Sequence, residues 1–295
     1  MPITASDAVV APAMRTVTTV ADVRRAIAEA RRAGARVGFV PTMGFLHEGH
    51  LKLVDAARRA SDFVVMSIFV NPLQFAPSED LTRYPRDPEG DAAKAASRGV
   101  DLLFTPSVEE MYVANRVVSI TATGLDRRWE GEIRPGHFAG MLTVVAKLFN
   151  VVQPDVAIFG QKDFQQAALV KAMVRDLDVP VEIVVAPIVR EADGLAMSSR
   201  NVYLSPDERR RALALSRALR AIGIAFAAGE RSGDALVAVG RGVLDAERDV
   251  RVDYLALVHP TTLEPVAVAE RDSVALLAAR VGSTRLLDNA VLGDA

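Results

Sequence analysis

Residues 37–54, VGFVPTMGFLHEGHLKLV, predict a buried β-strand that leads through a tight turn into an α-helix. The apolar run at residues 37–40 is typical of a strand, and Leu51, Val54 and Ala57 recur at helical spacing behind it. A strand, a turn and a helix in this order are the building block of an α/β protein with a parallel sheet. This stretch therefore predicts the class of the whole fold.

The turn within this stretch combines glycines with two histidines. Met43 and Gly44 supply the tight turn, while Gly49 lets the backbone come close to a ligand. His47 and His50 lie three residues apart, where the first helical turn begins. Because a helix start offers unpaired N–H groups and a partial positive charge, we expect an anion such as phosphate to bind there. The two imidazoles would donate further hydrogen bonds to it.

Other roles for the histidine pair stay open at this point. A single histidine near a helix start commonly caps the helix or packs against it. A zinc hydrolase is a sharper alternative, but its His-Glu-x-x-His motif needs histidines four residues apart, whereas this pair is three apart with a glycine inside it. A nucleotide-sensing domain without catalysis is the third alternative. Neither GxxxxGK[ST] nor GxGxxG occurs, so phosphate would be held without the commoner glycine-rich loops.

The composition is that of a globular protein, since 50% of the residues are hydrophobic and can form a full core. The length of 295 residues suggests one large or two ordinary domains. The 35 basic and 37 acidic side chains nearly balance, which argues against a general role on nucleic acid or a membrane surface. The absence of cysteine excludes disulfides and thiolate chemistry and fits a cytoplasmic location. Residues 1–14 show no secretion signal and predict a loose extension, and the apolar residues 139–152 are too few to cross a bilayer.

Apolar runs and helical patterns alternate along the first two thirds of the chain. The predicted elements are strands at residues 62–70, 100–104, 155–159 and 181–189, with helices at residues 20–32, 91–98 and 139–150. Near-continuous apolar strands separated by helices indicate a doubly wound, Rossmann-like parallel sheet covered on both faces. We expect this domain to span residues 1–188.

Polar residues follow two of these strands directly. Asn71 and Gln74 follow one strand, and Gly160, Lys162 and Asp163 follow another. Open α/β sheets bind ligands outside the carboxyl ends of their strands. A lysine for phosphate and a carboxylate for ribose hydroxyls would suit a nucleotide lying across the sheet, although turn formation and helix capping are the simpler roles of Asn71 and Asp163.

Residues 191–201, EADGLAMSSRN, break the pattern of strands and helices. The hydroxyls of Ser198 and Ser199 and the fixed charge of Arg200 make a flexible loop that is compatible with phosphate. Serine-rich turns are also common without any function, so a plain turn is the alternative.

A smaller α+β domain is predicted beyond this loop, over residues 189–295. Ser205 and Glu208 form a capping box around Pro206, so a long helix should begin there and end at Gly229. The remaining predicted elements are a helix at residues 234–247 and strands at residues 252–258 and 273–279. The MSSR loop would then lie at the joint between the domains.

Residues 125–140, LDRRWEGEIRPGHFAG, are rich in charge and glycine and contain the one tryptophan, Trp129. Such a segment suits a lid, a subunit contact or an ordinary surface loop. An ordinary surface loop is the interpretation that the sequence favours.

Five segments taken together resemble one enzyme family. PTMGFLHEGHLKLV resembles the HxGH signature of the adenylyl-transferring nucleotidyltransferases, and MSSR is similar to their second, KMSKS-like loop. With NPLQF, RPGHFAG, FGQKDFQQ and DGLAMSSRNVYLS in this order, the chain resembles the pantoate–β-alanine ligases from about residue 37 through TRLLDN. HxGH alone is moderately specific, whereas the set is very specific.

The resemblance implies an activity and its participants. The family condenses pantoate with β-alanine at the expense of ATP, through a pantoyl adenylate, and releases pyrophosphate and AMP. It therefore implies ATP as co-substrate, Mg²⁺, a cytoplasmic enzyme and a homodimer, without nucleic acid or membrane as partners.

The resemblance also implies roles for individual residues, with His50 as the proton donor of the family. The implied catalytic residues are His47, His50, Lys162, Ser198, Ser199 and Arg200. The implied ATP-binding residues are Met43, Gly44, Phe45, Leu46, His47, Glu48, Gly49, His50, Gly160, Gln161, Lys162, Asp163, Val189, Met197, Ser198, Ser199 and Arg200. The implied pantoate and β-alanine residues are Asn71, Gln74, Tyr84 and Gln166. Gln161 departs from a common glutamate, and Gly90 departs from a common acid, which leaves Asp91 as the candidate to steer magnesium, through water.

Overall fold

A single parallel sheet forms the larger part of the structure. The computed structural model describes residues 13–76 and 81–293. Within these residues six strands pair in the order β1-β4-β3-β2-β5-β6, all parallel. The strands are β1 (Arg15–Val17), β2 (Val37–Thr42), β3 (Phe63–Ile68), β4 (Leu102–Phe104), β5 (Val156–Gly160) and β6 (Glu182–Ala186). The predicted parallel α/β fold is confirmed.

Helices connect these strands and cover both faces of the sheet. They are α1 (Val20–Arg32), α2 (Glu48–Ala60), α3 (Pro88–Ser97), α4 (Val108–Met111), α5 (Glu130–Ile133), α6 (His137–Val152) and α7 (Phe164–Asp176). Phe39 of β2 packs in a core with α1, α6 and α7, whereas the next residue, Val40, packs in a second core with α2 and α3. The strands are apolar throughout because alternate side chains enter different cores.

The connections of β2 create a crevice at one edge of the sheet. From β2 the chain continues to β3 and then β4 on one side, and it later crosses to β5 and β6 on the other side. The segments that leave β2 and β5 therefore diverge, which opens a crevice between the carboxyl ends of these two neighbouring strands. Open α/β sheets bind ligands at such a switch point.

A second, antiparallel sheet with its own core follows. It contains β7 (Val250–Val258), β8 (Val274–Val281) and β9 (Thr284–Val291), packed on α8 (Pro206–Ala227) and α9 (Gly233–Asp245). The capping box of Ser205 and Glu208 is present, and Gly229 has φ +107° just beyond the end of α8. The α+β character of this part is confirmed, while the boundary between residues 188 and 189 stays a prediction.

Sequence patterns missed the shortest and the most polar elements. β1 has three residues at an edge of the sheet, and β9 contains the buried polar residues Asp288 and Asn289, which interrupt its apolar pattern. The extension predicted over residues 1–14 lies outside the described residues except for its last two. Across residues 13–76 and 81–293, every helix is too short or too polar to pass through a bilayer.

Candidate active site

A cavity of about 250 Å³ lies at the carboxyl ends of β2 and β5 and reaches β7, β8 and β9 of the small domain. Segments that are far apart in sequence meet around it. Of the residues implied by the resemblance, those that line the cavity are Met43, His47, Gly49, His50, Asn71, Gln74, Tyr84, Gly160, Lys162, Asp163, Gln166, Val189, Met197, Ser198, Ser199 and Arg200. The structure therefore brings together three segments: the HxGH turn (residues 43–50), the lysine turn (residues 160–163) and the MSSR loop (residues 197–200).

The two histidines form the N-terminal cap of α2. The backbone N–H of Gly49 donates to Nδ1 of His47 at 3.1 Å, and the backbone N–H of His47 donates to Nδ1 of His50 at 3.4 Å. This is a capping box in which histidine side chains take both of the usual positions. Because both Nδ1 atoms accept hydrogen bonds, the hydrogen-bond network assigns the proton of each ring to Nε2. The ring centroids are 4.1 Å apart.

Both histidines are held neutral. Burial, followed by the positive charge of Lys162, lowers the pKa of His47 from 6.5 to about 4. Burial and then the neighbouring His47 lower the pKa of His50 well below 6.5. Near neutral pH each ring is therefore a neutral imidazole with an N–H donor at Nε2, suited to hydrogen bonding with phosphate oxygens rather than to ion pairing.

Gly49 makes room for a side chain of the protein. A Cβ atom at this position would lie 2.8 Å from Cε1 and 2.9 Å from Nδ1 of His47, and 3.5 Å from Cβ of Met197. The glycine thus keeps the His47 ring in its capping position. Gly49 also lines the cavity, so the expected close approach of a ligand to its backbone stays a prediction.

The MSSR loop docks on the HxGH turn. The hydroxyl of Ser199 donates to the carbonyl oxygen of Phe45 at 3.2 Å, and Ser199 is 7% exposed. The hydroxyl of Ser198 accepts from the backbone N–H of Arg200 at 3.3 Å and so caps a short 3₁₀ turn. The Arg200 guanidinium lies 5.8 Å from the centroid of the Tyr84 ring.

The small domain fixes the turn that carries Lys162. The side-chain amide of Asn289 donates to the carbonyl oxygens of Gln161 and Lys162, both at 3.0 Å, and its oxygen accepts from Nε2 of Gln161 at 3.3 Å. Nζ of Lys162 lies 3.5 Å from the Asp163 carboxylate. The cation at the end of β5 is thus positioned by a residue of β9.

Asn71 and Gln74 form a second, buried polar group in the cavity wall. The amide of Asn71 donates to Oε1 of Gln74 at 3.0 Å, while its oxygen accepts from the hydroxyl of Tyr112 at 2.8 Å. Nε2 of Gln74 lies 3.1 Å from Sδ of Met43. These contacts turn the amide NH₂ of Gln74 towards the HxGH turn, where it can donate to an acidic ligand.

Five of the implied ATP-binding residues support the site without lining the cavity. Leu46 is buried in the core beneath α2, and Glu48 accepts two hydrogen bonds from Arg98 at 2.6 and 2.7 Å. The others are Gly44, Phe45 and Gln161, which shape the turns that carry the lining residues.

Asp91 does not lie at the cavity as we expected of a residue that steers magnesium. It is 1% exposed, and its carboxylate accepts from the backbone N–H groups of Phe45 at 2.7 Å and Leu46 at 2.6 Å. Phe45 has a backbone φ of +52°, a conformation that residues other than glycine rarely adopt. Asp91 therefore holds the strained turn in front of His47, and we correct its assignment accordingly.

Sequence reasoning missed several residues that line the cavity. Glu130, Arg134 and His137 come from the charged segment, and Tyr254, Asp288 and Asn289 come from the small domain. RPGHFAG pointed to the first group, but no short motif marks the second. The interpretation of residues 125–140 as an ordinary surface loop is wrong, because Trp129 packs against Tyr254 and Glu130 is buried.

The described residues contain no set of ligands for the zinc site that the zinc-hydrolase alternative requires. Over residues 13–76 and 81–293, no three histidine or acidic side chains are gathered so that they could hold a metal ion. The Nδ1 atoms of His47 and His50 are both occupied by the helix cap. The pair is arranged as two hydrogen-bond donors.

Comparisons with known proteins agree with this geometry. The model of the family described as pantoate-beta-alanine ligase matches residues 15–291. The chain is 54% identical to the pantothenate synthetase of Acidobacterium capsulatum, over 95% of this chain and 98% of that protein. It is 50% identical to the pantothenate synthetase of a Thermoanaerobacter species, over 93% and 97% of the two chains.

Solved structures are similar over almost the whole chain. The crystal structure of pantothenate synthetase from Thermus thermophilus has a TM-score of 0.90 and 52% identity, covering 94% of this chain and 99% of that one. The pantoate–β-alanine ligase of Francisella tularensis, crystallised with β-γ ATP and β-alanine, has a TM-score of 0.78 and 31% identity, covering 95% and 98%.

Proposed function

Since this chain belongs to the pantoate–β-alanine ligase family and catalyses the ATP-dependent condensation of pantoate with β-alanine, we propose that both steps take place in the cavity at the end of β2 and β5. The observation that carries this proposal is the hydrogen bond between Ser199 and Phe45. It joins the MSSR loop to the HxGH turn, so that donors from both domains face one space.

The triphosphate of ATP would lie between these two groups of donors. On one side are Nε2–H of His47 and His50 at the start of α2, where the helix adds a partial positive charge. On the other side are Lys162, Arg200 and Ser198, while the hydroxyl of Ser199 donates to Phe45 and holds the MSSR loop in place. The adenosine would lie against Val189 and Met197, with its ribose near Gly160.

Pantoate would bind at the group formed by Asn71 and Gln74. The NH₂ of Gln74 is a neutral donor suited to a carboxylate or a hydroxyl of the acid, and Tyr84 and Gln166 complete the same wall. This places the acid next to the phosphate-binding residues, so the carboxylate can approach the α-phosphorus.

The first step forms a bond between a pantoate carboxylate oxygen and the α-phosphorus and breaks the bond to the bridging oxygen of pyrophosphate. Negative charge grows on the leaving pyrophosphate, and the preorganised donors of His47, His50 and Lys162 would stabilise it. Neutral imidazoles donate here without the cost of charging a buried ring. No covalent intermediate on the enzyme is needed.

The second step joins the β-alanine amine to the acyl carbon and releases AMP. The adenylate is already activated, so the protein's contribution is to hold the amine in place and keep water away. The docked MSSR loop and the small domain, which together cover the crevice, suit this task.

Magnesium would enter with ATP. Of the described carboxylates that line the cavity, Glu130 and Asp288 are each paired with an arginine, whereas Asp163 is 48% exposed and lies 3.5 Å from Nζ of Lys162. Asp163 is therefore the carboxylate of the cavity wall that would help to hold the ion beside the phosphates. When bound, the ion neutralises charge on the phosphates.

We also propose that the protein is cytoplasmic and forms a homodimer. Within each chain we propose a domain boundary between residues 188 and 189. Two separate cores on either side of this point support the division. Val117 and Val118 are 94% and 72% exposed, and such an apolar patch suits a contact with a second copy. Sedimentation analysis at several concentrations tests the dimer.

Isotope exchange between pyrophosphate and ATP tests the proposed chemistry. We expect exchange that requires pantoate and Mg²⁺ and proceeds without β-alanine. Retention of this activity after removal of transition metals would separate it from a zinc hydrolase. Exchange without pantoate, or none at all, would contradict the proposed first step.

A further inference from the structure

A buried charged network joins the small domain to the wall of the cavity at Glu130. This residue is 5% exposed, and its two carboxylate oxygens accept from Nη1 and Nη2 of Arg285 at 2.7 and 2.6 Å. The hydroxyl of Tyr254 donates to the same carboxylate at 3.1 Å, and Nε of Arg285 donates to Asp253 at 2.6 Å. A two-pronged pair of this kind fixes both distance and orientation.

The backbone around Glu130 is held as firmly as its side chain. Its N–H donates to Oε1 of Gln165 at 3.1 Å. The preceding residue, Trp129, has φ +54°, and its indole N–H donates to the carbonyl oxygen of Leu263 at 3.0 Å. A non-glycine residue keeps such a conformation only where its surroundings enforce it. The position of the carboxylate is therefore determined from several sides.

From Glu130 the contacts continue to Gln74. Nη1 of Arg134 lies 4.0 Å from the Glu130 carboxylate, and Nη2 of the same guanidinium donates to the carbonyl oxygen of Gln74 at 3.3 Å. Nδ1 of His137 donates to that carbonyl at 2.9 Å, while its Nε2 accepts from Arg134 at 3.2 Å. A carbonyl oxygen can only accept, so these bonds assign the proton of His137 to Nδ1.

We propose that Glu130 is a positioning residue that holds Arg134 against the backbone of Gln74. It thereby couples Arg285 of the small domain to the acid pocket, which is the part of the cavity wall formed by Asn71 and Gln74. This inference rests on the proposed placement of pantoate at Gln74. Loss of the Glu130 charge removes an anionic partner of Arg134, and the guanidinium then holds the backbone of Gln74 less firmly. The binding of pantoate weakens, while the phosphate-binding residues keep their own contacts.

The variant Glu130→Gln tests the coupling, because it keeps the shape of the side chain and removes its charge. We expect the KM for pantoate in the exchange reaction to rise about three- to tenfold, since the variant removes a largely buried ion pair whose atoms lie 4.0 Å apart, while the KM for ATP changes less than about twofold. Tyr254→Phe removes only the hydroxyl that steadies Glu130, so the same KM should rise about two- to threefold.

Asp253→Asn is the matched control. It removes the charge of a carboxylate that is 15% exposed and pairs with the same arginine at 2.6 Å, and no described contact links Asp253 to Arg134. Glu130→Gln and Asp253→Asn should both lower the thermal unfolding temperature, but Asp253→Asn should leave the KM for pantoate unchanged. Equal effects of the two variants on this KM would reduce Glu130 to a structural role and overturn the proposal.

A fourth variant, Gln74→Ala, separates this proposal from the one on which it rests. If Gln74→Ala raises the KM for pantoate selectively and Glu130→Gln does not, the coupling is absent. If Gln74→Ala weakens ATP and pantoate equally, the acid pocket itself has been misplaced. Should Glu130→Gln fail to fold, Tyr254→Phe decides, since an unchanged KM for pantoate in that variant contradicts the coupling.

Discussion

The hydroxyl of Ser199 lies 3.2 Å from the carbonyl oxygen of Phe45 and donates a hydrogen bond to it across the joint between the two parts of the chain. This bond places the MSSR loop beside the histidine cap. We expect Ser199→Ala to raise the KM for ATP about two- to tenfold and to lower the unfolding free energy by about 1 kcal/mol, because one buried neutral hydrogen bond is lost. Ser216→Ala, which removes a hydroxyl that bonds within α8, is the control and should leave the KM unchanged. An unchanged KM in Ser199→Ala would remove this contact from ATP binding.

Gly49→Ala should damage catalysis through His47. The added Cβ would lie 2.8 Å from the ring, so the imidazole must move, and small displacements of a catalytic group cost about 10²-fold in rate. Gly242→Ala in α9 meets no atom within 4 Å and should stabilise the protein, because alanine is the better helix former. Rates of adenylate formation and thermal unfolding of both variants check this expectation.

His50 serves both as a helix cap and as a donor, and two substitutions separate these roles. Glutamine is an ordinary residue at this position of a capping box, so His50→Gln should fold like the parent while it loses the Nε2 donor. We expect adenylation to fall about 10²- to 10³-fold in both His50→Gln and His50→Ala, and only the alanine variant to lose about 1 kcal/mol of unfolding free energy. A near-normal rate in either variant would exclude His50 from the chemistry.

The lowered pKa values of the histidines predict a pH dependence with a definite sign. In the unfolded chain each imidazole takes up a proton near pH 6.5, whereas folded His47 does so near pH 4 and folded His50 well below 6.5. Between these values the unfolded state binds more protons, so the unfolding free energy should fall as the pH is lowered from 6.5 towards 4. His50→Gln should weaken this dependence in denaturant titrations. A stability that rises on acidification would mean that the rings are charged in the folded protein.

Asp91 should prove to be a structural residue. Asp91→Ala leaves the backbone N–H groups of Phe45 and Leu46 without their acceptor, and we expect a loss of about 3 kcal/mol in unfolding free energy. The Mg²⁺ concentration that gives half-maximal rate should stay within about twofold of the parent value in Asp91→Asn. A large shift of that concentration would restore Asp91 as a residue that steers magnesium.

Local periodicity of the sequence was sufficient to predict most of the helices and strands. The helix predicted at residues 20–32 occurs with those bounds as α1, and the capping box at Ser205 starts α8 as expected, because both signals depend on neighbouring residues. The third strand of the small sheet was missed because buried Asp288 and Asn289 are satisfied by distant partners that a local pattern does not reveal.

The same distinction applies to the site. The histidine pair, the lysine turn and the MSSR loop each follow a recognisable motif, and all three reach the cavity. The place of Asp91 was not predictable because it depends on which backbone amides lie opposite its carboxylate in space. Glu130 was not singled out, since its partner Arg285 lies 155 residues away along the chain.

The hydrogen bonds that Asn289 donates to the lysine turn have a consequence for folding during translation. A nascent chain emerging from the ribosome can pair all six strands of the parallel sheet once residue 186 is free, well before β9 has been translated. Until Asn289 arrives, the lysine turn lacks its clamp. Folding of the first domain and acquisition of activity should therefore be separate events during translation.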